Sequence, residues 1–291
     1  MPEGHTIHRL AAACIDHFAG RKLLVSSPQG RFGQGAARLD GLPLAGADAH
    51  GKHLFLRFGT DPDEPVHRLH IHLGLYGKVT FGTGPVPPPT GQIRLRLATG
   101  EAVATDTTAA GDDGRWMDLR GPTACELLDP AEEAAIHARL GADPLLPPDD
   151  PRADPEPARR RIAHSRTTIA ALLMDQSVIA GAGNVYRAEV LFRQGIEPHR
   201  PGRDVTAEEW ERVWADLRAL MAEGVRTGRI DTVRPEHTPE AMGRPPRVDD
   251  HGGEVYVYRR AGMPCLICGT PVATESHAAR NLFWCPTCQA R

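Results

Sequence analysis

The sequence lacks any apolar run long enough to cross a membrane. Its first residues interleave His5, His8 and Asp16 with apolar residues, so they lack the continuous apolar segment of a signal peptide. Internal repeats are also absent. We therefore expect a cytoplasmic protein that does not contact a membrane. Separately, we expect a monomer.

The chain has no strong excess of charge of one sign. Its formal net charge of -3 argues against a nucleic-acid partner if the charge is averaged over all 291 residues. The average is misleading, because acidic residues concentrate between residues 129 and 156. Four arginines then follow without an acid between them: Arg159, Arg160, Arg161 and Arg166.

A leading helix and a set of short strands are predicted for the first part of the chain, which is long enough for two domains or more. Apolar residues recur at helical spacing from Ile7 to Phe18, and Gly20 ends the pattern. Short β-type runs punctuated by Gly and Pro follow, which predicts a β-sandwich behind one helix. The runs are Lys22–Ser26, His53–Phe58, Val79–Phe81, Ile93–Ala98 and Ala102–Ala104, with a return at Met117–Leu119. Gly82–Gly91 and Asp106–Gly114 are predicted loops.

Beyond Pro122 the pattern becomes helical, which predicts a second domain. The predicted helices are Pro130–Leu140, Pro157–Asp175, Asn184–Arg193 and Ala207–Gly224, and Ala142–Pro157 is a predicted connector. A polar loop at Thr232–Gly253 and a strand at Glu254–Arg259 are predicted to follow. The sequence thus indicates a multidomain α+β protein with boundaries at 1–122, 123–253 and 254–291.

Four of the six cysteines form two CxxC pairs, Cys265/Cys268 and Cys285/Cys288, separated by sixteen residues. This matches the four-thiolate zinc template, in which the pairs are ~15–20 residues apart. A disulfide framework is the alternative, but it is disfavoured without an export signal. We predict one structural Zn²⁺ that holds a β-hairpin and has no open position for chemistry. Cys14 and Cys125 are predicted to be small buried residues.

The chain begins with Met1-Pro2-Glu3-Gly4. If Met1 is removed, Pro2 presents a secondary amine, and a free α-amino group has a pKa of ~7.7–8.0, so a useful fraction is neutral at physiological pH. Glu3 could move protons for whatever that amine attacks. The alternative is structural, because Pro and Glu also favour the first turn of any helix.

A second chemical pattern is the segment from Asp175 to Tyr186. It predicts two helices joined by a glycine-bearing turn, with Asn184 at the start of the second helix, where exposed N–H groups bind anions. A plain helical hairpin with glycine turns is the alternative. Beside a zinc hairpin and nearby arginines, a clamp for DNA phosphates is the better interpretation.

Taken in order, these motifs make the chain resemble the formamidopyrimidine-DNA glycosylase and endonuclease VIII family over essentially its whole length. The matching segments are Met1–Gly4, Gly51–His53, His72–Gly77, Asp175–Gln176 with Gly181–Tyr186, and the four-cysteine finger with Arg280. The resemblance implies a β-sandwich, a helix-two-turns-helix domain and a zinc finger, with damaged DNA as the partner. It also implies base excision repair in a bacterial cytoplasm or nucleoid.

The resemblance implies catalytic roles for four residues. Pro2 would attack the sugar C1′ of a flipped, oxidised nucleotide and form a Schiff base, and Glu3 would shuttle protons as the sugar ring opens. Lys52 matches the family lysine assigned to phosphate contact and β-elimination; without the family match, it would be read as a solvated residue between strands. Arg280 matches the finger arginine assigned to δ-elimination.

Five further residues match DNA-binding positions of the family. Leu75 occupies the place of the wedge that fills the hole left by a flipped base, with Tyr76 beside it; a core Leu-Tyr pair is the alternative. Gln176, Asn184 and Arg139 match residues that contact DNA. Without the family match, Arg139 would be read as a cation at a helix end.

Two departures concern the lesion that is removed. The 8-oxoguanine branch commonly carries a glutamate near position six, where this chain has Thr6, and an aromatic residue that Asp118–Gly121 lacks. Both favour the endonuclease VIII branch and oxidised pyrimidines. Two alternatives remain: an 8-oxoguanine and formamidopyrimidine glycosylase, and a non-catalytic relative that only binds damaged DNA.

Overall fold

The computed structural model describes residues 2–59, 66–103, 114–248 and 253–290. The chain separates into two compact units, which we call the sandwich unit (Pro2 and Ile7–His137) and the helical unit (Glu3–Thr6 and Ala138 onward). None of the helices in the described residues combines the length and apolar composition that a membrane span requires. The predicted domain boundaries after residues 122 and 253 stay a prediction.

The sandwich unit contains two antiparallel four-stranded sheets, ordered β1-β6-β7-β5 and β2-β3-β4-β8. Their apolar residues share one core with those of the leading helix, whose Ile7, Cys14 and Phe18 are at most 1% exposed. This confirms the predicted sandwich behind one helix. The strands are β1 (Leu23–Ser26), β2 (Leu44–His50), β3 (His53–Phe58), β4 (His67–His72), β5 (Lys78–Thr83), β6 (Ile93–Thr99), β7 (Arg115–Arg120) and β8 (Ala124–Leu128). The helices are α1 (Gly4–Phe18), α2 (Gly33–Leu39), α3 (Gly100–Val103) and α4 (Pro130–Arg139).

The predicted strand at Ala102–Ala104 is wrong, because its described residues belong to α3. The strand β6 ends at Thr99, and the turn of helix that follows buries Ala102. Glu and Ala are good helix formers, so local propensity agrees with the helix. The loop predicted at Asp106–Gly114 lies outside the described residues except for Gly114.

Within the described residues, the helical unit contains five α-helices of its own, three short 3₁₀ helices and a C-terminal hairpin. The helices are α5 (Glu156–Ala163), α6 (Ile169–Leu172), α7 (Asn184–Arg193), α8 (Ala207–Thr227) and α9 (Pro239–Met242), and the hairpin strands are β9 (Ala273–His277) and β10 (Arg280–Trp284). The long helix α8 begins with a reciprocal capping box between Thr206 and Glu209. Its C-cap is Gly228 in the left-handed conformation, which glycine adopts without steric cost.

The helix predicted at Pro157–Asp175 is two helices, α5 and α6. Thr168 lies between them with an extended backbone, and its side chain accepts a hydrogen bond from the Ala171 N–H, so it is the N-cap of α6. The polar residues 164–168 therefore interrupt the apolar period instead of continuing it.

The strand predicted at Glu254–Arg259 is also wrong. The backbone N–H groups of Tyr256, Val257 and Tyr258 donate to the carboxylate of Glu189, at 2.7–2.9 Å, instead of to a neighbouring strand. Glu189 lies in α7 and is 0% exposed. A side chain therefore satisfies the donors that a sheet would otherwise satisfy.

Candidate active site and nucleic-acid interface

The carboxylate of Glu3 is buried at the N-terminus of α7. The side chain is 1% exposed, and its oxygens accept hydrogen bonds from the backbone N–H of Gly183 at 3.0 Å and Val185 at 2.9 Å. The Tyr186 N–H points to the same group at 3.5 Å. These are the N–H groups that a helix leaves unpaired at its start, and the helix dipole favours an anion there. The Glu3 carboxylate thus occupies the place at the N-terminus of α7 where a bound anion would otherwise lie.

Glycines allow the chain start to approach α7 this closely. The Gly4 N–H donates to the Gly181 carbonyl at 2.8 Å, and a Cβ on Gly4 would lie 2.8 Å from the Gly181 Cα. A Cβ on Gly183 would lie 2.4 Å from the Glu3 carboxyl carbon. Side chains at these positions would displace the carboxylate, so the glycines of this turn allow the chain's own N-terminal residues to pack against it.

Pro2 precedes this buried carboxylate directly and is itself only partly buried. It clusters with the sandwich unit, whereas Glu3 clusters with the helical unit, so the chain passes from one unit to the other at the Pro2–Glu3 bond. The tether keeps the backbone nitrogen of Pro2 one residue away from a fixed carboxylate.

Arg187 is a charged residue of this region that the sequence patterns did not reveal. It is 0% exposed in α7 and donates to the Asn184 side-chain oxygen and, at 3.2 Å, to the Asn281 carbonyl. Burial lowers the pKa of Arg187 to about 10; Glu3 opposes the shift and Arg280 adds to it. Arg187 therefore lies within electrostatic reach of both predicted catalytic residues, Glu3 and Arg280.

Asn184 begins α7 as predicted, and it is buried. Its side-chain amide donates to the Asn281 carbonyl at 3.0 Å, so it joins the start of α7 to β10. Gln176 closes the preceding turn: its amide donates to the Ala182 carbonyl at 2.8 Å and accepts from the Gly181 N–H at 3.1 Å. Arg139 is exposed at the end of α4. Contacts of these three side chains with DNA stay a prediction.

Lys52 lies in the turn between β2 and β3, beside a group of histidines on the same sheet. His53 and His70 are hydrogen-bonded at 2.8 Å, and His70 is bonded to Glu126 at 3.0 Å. The pKa of His72 is lowered by burial first and then by repulsion from His70 and Lys52. The turn therefore places a cation next to a histidine that stays neutral more readily than usual.

Leu75 and Tyr76 follow β4 on a protruding turn. Their exposed fractions are 49% and 84%, which excludes the alternative of a core pair. Gly74 before them has a φ of +65°, and a Cβ on Gly77 after them would lie 2.3 Å from the Leu73 carbonyl oxygen, so both glycines are needed for the turn. An exposed apolar pair on a tight turn is suited to insertion into a partner.

Arg280 is exposed at the start of β10, directly after the hairpin turn. The turn residues Ala278 and Ala279 have φ values of +50° and +58°. Two left-handed residues between antiparallel strands match a type I′ turn, which glycine and asparagine adopt more easily than alanine. The strands are paired from His277↔Arg280 to Ala273↔Trp284, so the hairpin fixes the position of the Arg280 backbone.

The four predicted zinc ligands come together at the other end of the hairpin. All four sulfur atoms lie within 4.8 Å of one another, with Cys265–Cys288 at 3.8 Å and Cys268–Cys285 at 3.4 Å. Tetrahedral zinc with bonds of ~2.3 Å places its sulfur ligands about 3.8 Å apart, so the cluster fits the ion. The Ile267 and Cys288 N–H groups donate to ligand sulfurs at 3.5 Å, which stabilises thiolates.

Comparison with known proteins decides the relationship. The N-terminal domain model of formamidopyrimidine-DNA glycosylase matches residues 1–120, its H2TH domain model matches residues 140–235, and the zinc finger found in FPG and IleRS matches residues 262–291. The chain is 47% identical to Endonuclease 8 1 of Mycobacterium tuberculosis, over 99% of this chain and 100% of that protein. The chain belongs to the formamidopyrimidine-DNA glycosylase and endonuclease VIII family.

Other members of this glycosylase family are more distant. The formamidopyrimidine-DNA glycosylase of Geobacillus kaustophilus is 32% identical over 87% of this chain and 84% of its own length. The MutM (Fpg) structure from Thermus thermophilus has a TM-score of 0.70 at 26% identity, covering 100% of this chain and 99% of its own. Lactococcus lactis Fpg, solved with DNA containing an abasic site, has a TM-score of 0.74 at 20% identity, over 99% and 100% of the two chains. These structures confirm the predicted fold, and the finger match with the four-sulfur geometry confirms one structural zinc.

The predicted site residues of this family member fall into two groups. The helical unit contains Glu3, Arg139, Gln176, Asn184 and Arg280. Arg187 is hydrogen-bonded to Asn184 and lies within electrostatic reach of Glu3 and Arg280. Lys52, Leu75 and Tyr76 lie in the sandwich unit near the end of β4. Arg187 was missed because only burial distinguishes it from the many arginines of the chain, although its position three residues after Asn184 places both on one face of α7.

Proposed function

We propose that this chain is a bifunctional DNA glycosylase and AP lyase of base excision repair, with damaged DNA as its partner and oxidised pyrimidines as its favoured lesions. One observation carries the site assignment: a carboxylate fixed by backbone N–H groups directly follows the N-terminal proline. We further propose that the protein acts as a monomer in the bacterial cytoplasm or nucleoid.

In the proposed first step the Pro2 nitrogen, freed by removal of Met1, attacks C1′ of the damaged nucleotide. A bond forms between nitrogen and C1′, and the glycosidic bond breaks with its electron pair going to the base, which leaves after protonation. The Glu3 carboxylate takes up the proton that the Pro2 nitrogen loses on attack and delivers it to the sugar ring oxygen as the ring opens, leaving an iminium ion between Pro2 and C1′. The amides of Gly183 and Val185 hold Glu3 still, which favours such a transfer.

Strand cleavage follows from the same iminium ion. Loss of a proton from C2′ expels the 3′ phosphate in β-elimination, and a second proton loss expels the 5′ phosphate in δ-elimination. We assign Lys52 to the first step and Arg280 to the second, each through contact with phosphate. The zinc has four sulfur ligands and takes no part in the chemistry.

Access to C1′ requires that the nucleotide leave the base stack, which costs a few kcal/mol. Leu75 and Tyr76 are suited to fill the resulting hole. They are 49% and 84% exposed, so insertion between the bases would remove much of their apolar surface from water. Arg139, Gln176 and Asn184 are also proposed to contact the DNA.

The lesion preference is supported by the ranking of relatives. Identity is 47% to Endonuclease 8 1 of Mycobacterium tuberculosis and 32% to the Geobacillus kaustophilus formamidopyrimidine-DNA glycosylase. The segment Asp118–Gly121 carries no aromatic side chain. Its Asp118 is 1% exposed and forms a bidentate ion pair with Arg96 of the neighbouring strand, at 2.7 and 2.9 Å.

Borohydride trapping tests the reaction. Processed protein incubated with abasic-site DNA and borohydride should give a covalent adduct, because reduction converts the iminium ion into a stable amine. The matched control is a chain with Leu inserted between Met1 and Pro2, in which the Pro2 nitrogen stays in a peptide bond. Equal adduct from both proteins would contradict the proposal.

The lesion class is tested with duplexes containing thymine glycol, dihydrouracil or 8-oxoguanine. We expect faster single-turnover cleavage of the two pyrimidine substrates. Faster cleavage of 8-oxoguanine would be compatible with the proposed reaction but would contradict the proposed lesion preference and assign the protein to the 8-oxoguanine branch.

A further inference from the structure

A second group of metal-ligating side chains lies in the helical unit, apart from the four cysteines. His199, Glu275 and His277 each offer one ligand atom, and these atoms lie within 4.8 Å of one another. The His199 Nε2 is 2.6 Å from the Glu275 Oε1, and the His277 Nδ1 is 3.7 Å from the same oxygen. The proposed reaction uses none of the three residues.

Both imidazole rings are oriented by partners on their far sides. The His199 Nδ1 is 2.5 Å from the Glu197 carboxylate, and the His277 Nε2 is 2.8 Å from the Thr168 hydroxyl. The nitrogens that face Glu275 are then His199 Nε2 and His277 Nδ1. His199 Nε2 is within hydrogen-bond distance of the Glu275 carboxylate, so a bound Zn²⁺ would replace the hydrogen between them. A carboxylate or hydroxyl behind the ring is the arrangement that commonly supports a histidine bound to a metal.

The backbone holds the three residues in place before any ion binds. Glu275 and His277 are two residues apart in β9, so their side chains lie on the same face of the hairpin. The segment that carries His199 is bonded to the start of α6, with the Ile169 N–H donating to the Arg200 carbonyl at 2.8 Å and the Ala170 N–H to the Pro198 carbonyl at 3.1 Å.

The donor set selects the kind of cation. Imidazole nitrogen suits Zn²⁺, Ni²⁺ and Cu²⁺, whereas Mg²⁺ and Ca²⁺ prefer sites made of oxygen. Zinc bonds of ~2.0–2.1 Å place tetrahedral ligands about 3.4 Å apart. The 2.6 and 3.7 Å separations bracket that value, so a small opening of the His199–Glu275 contact admits the ion.

We propose that His199, Glu275 and His277 bind one Zn²⁺ ion, which is additional to the zinc of the four cysteines and weaker because only three protein ligands hold it. The ion would join β9 to the segment after α7 and to the N-cap of α6. It would thereby stiffen the hairpin that carries Arg280.

Calorimetric titration of the full chain, already loaded with one zinc per molecule, tests the site with ZnCl₂ as the probe. We expect a second equivalent to bind and to raise the melting temperature. His199→Gln and His277→Gln should each weaken this binding at least about tenfold, and Glu197→Gln should weaken it by about 10–100-fold through loss of the supporting carboxylate. Each variant should keep one zinc, which shows that the finger is intact.

His164→Gln is the matched control, because His164 is an exposed histidine of the same unit at the C-cap of α5. It should bind the second equivalent as the parent does. NiCl₂ gives an independent reading: the His199 ring contacts Trp284 edge-on with centroids 5.1 Å apart, so bound Ni²⁺ should quench the fluorescence that Trp284→Phe removes. Absence of a second equivalent in the parent chain, or unchanged binding in both His199→Gln and His277→Gln, would overturn the proposal.

Discussion

Glu3 and Glu189 are two buried carboxylates of the helical unit with nearly the same surroundings. They are 1% and 0% exposed, and each accepts hydrogen bonds from three backbone N–H groups. Glu189 also accepts from the Thr232 hydroxyl at 2.6 Å. Both carboxylates are associated with α7: Glu3 packs against the N-terminus of this helix, and Glu189 is one of its residues.

The two carboxylates differ in the residues beside them. Glu3 is joined to Pro2, a proposed nucleophile, whereas Glu189 is surrounded by the segment Tyr256–Tyr258 and supports its path. Burial and hydrogen bonding alone therefore do not separate a catalytic carboxylate from a structural one. Matched substitutions at the two positions can separate them, because Gln has nearly the same shape as Glu but loses the charge and one of the two acceptor oxygens.

The largest effect is expected for Glu3→Gln on activity. Loss of a positioned proton donor should lower the single-turnover rate of base removal by about 10²–10⁴-fold. Folded Glu189→Gln protein should retain a rate close to that of the parent chain under the same conditions. Similar losses in the two variants would show that Glu3 has only the structural role that Glu189 has.

The next largest effect is expected for Glu189→Gln on stability. An amide cannot accept from all four donors around Glu189, and a buried donor left without a partner costs about 1–3 kcal/mol. We expect a loss of about 3 kcal/mol in the free energy of unfolding, measured by urea denaturation. Glu3→Gln should cost less, about 1–2 kcal/mol, because its donors number three and one of them is long.

A smaller effect is expected from His72 in the sandwich unit, where a histidine instead of a carboxylate is perturbed. Its folded-state pKa lies below 6.5, so the unfolded chain takes up a proton first as the pH falls. Stability should therefore decline as the pH drops below about 6.5 and stop declining below the folded pKa. His72→Asn should flatten this slope in urea titrations between pH 7 and pH 5. An unchanged slope would assign the acid sensitivity to other groups.

The zinc finger and the start of the chain could be predicted from sequence because their determinants are local. Cys265 and Cys268 are close in any conformation of a CxxC turn, and a second pair at the right distance completes the ion's shell. The helix period from Ile7 to Phe18 is likewise set by neighbours in sequence. Leu75 and Tyr76 could be recognised by motif, although only the structure separated an exposed pair from a core pair.

The parts that could not be predicted depend on distant partners. Val255–Tyr258 has the composition of a strand, but its amides bond to Glu189, which lies 67–69 residues earlier for the three amides concerned. Arg187 looks like a surface cation until its burial is known. The break between α5 and α6 had a local indication in Thr168, an N-cap residue type that the continuous helix prediction ignored.

The anchoring of Glu3 has a consequence for how the protein is made. The first residues to leave the ribosome find their partners at Gly181, Gly183 and Val185, which are synthesised about 180 residues later. A nascent or truncated chain that ends before α7 therefore has a proline terminus without its seated carboxylate. Trimming of Met1 can take place early, whereas the reactive arrangement arises only once the C-terminal half has been translated and folded.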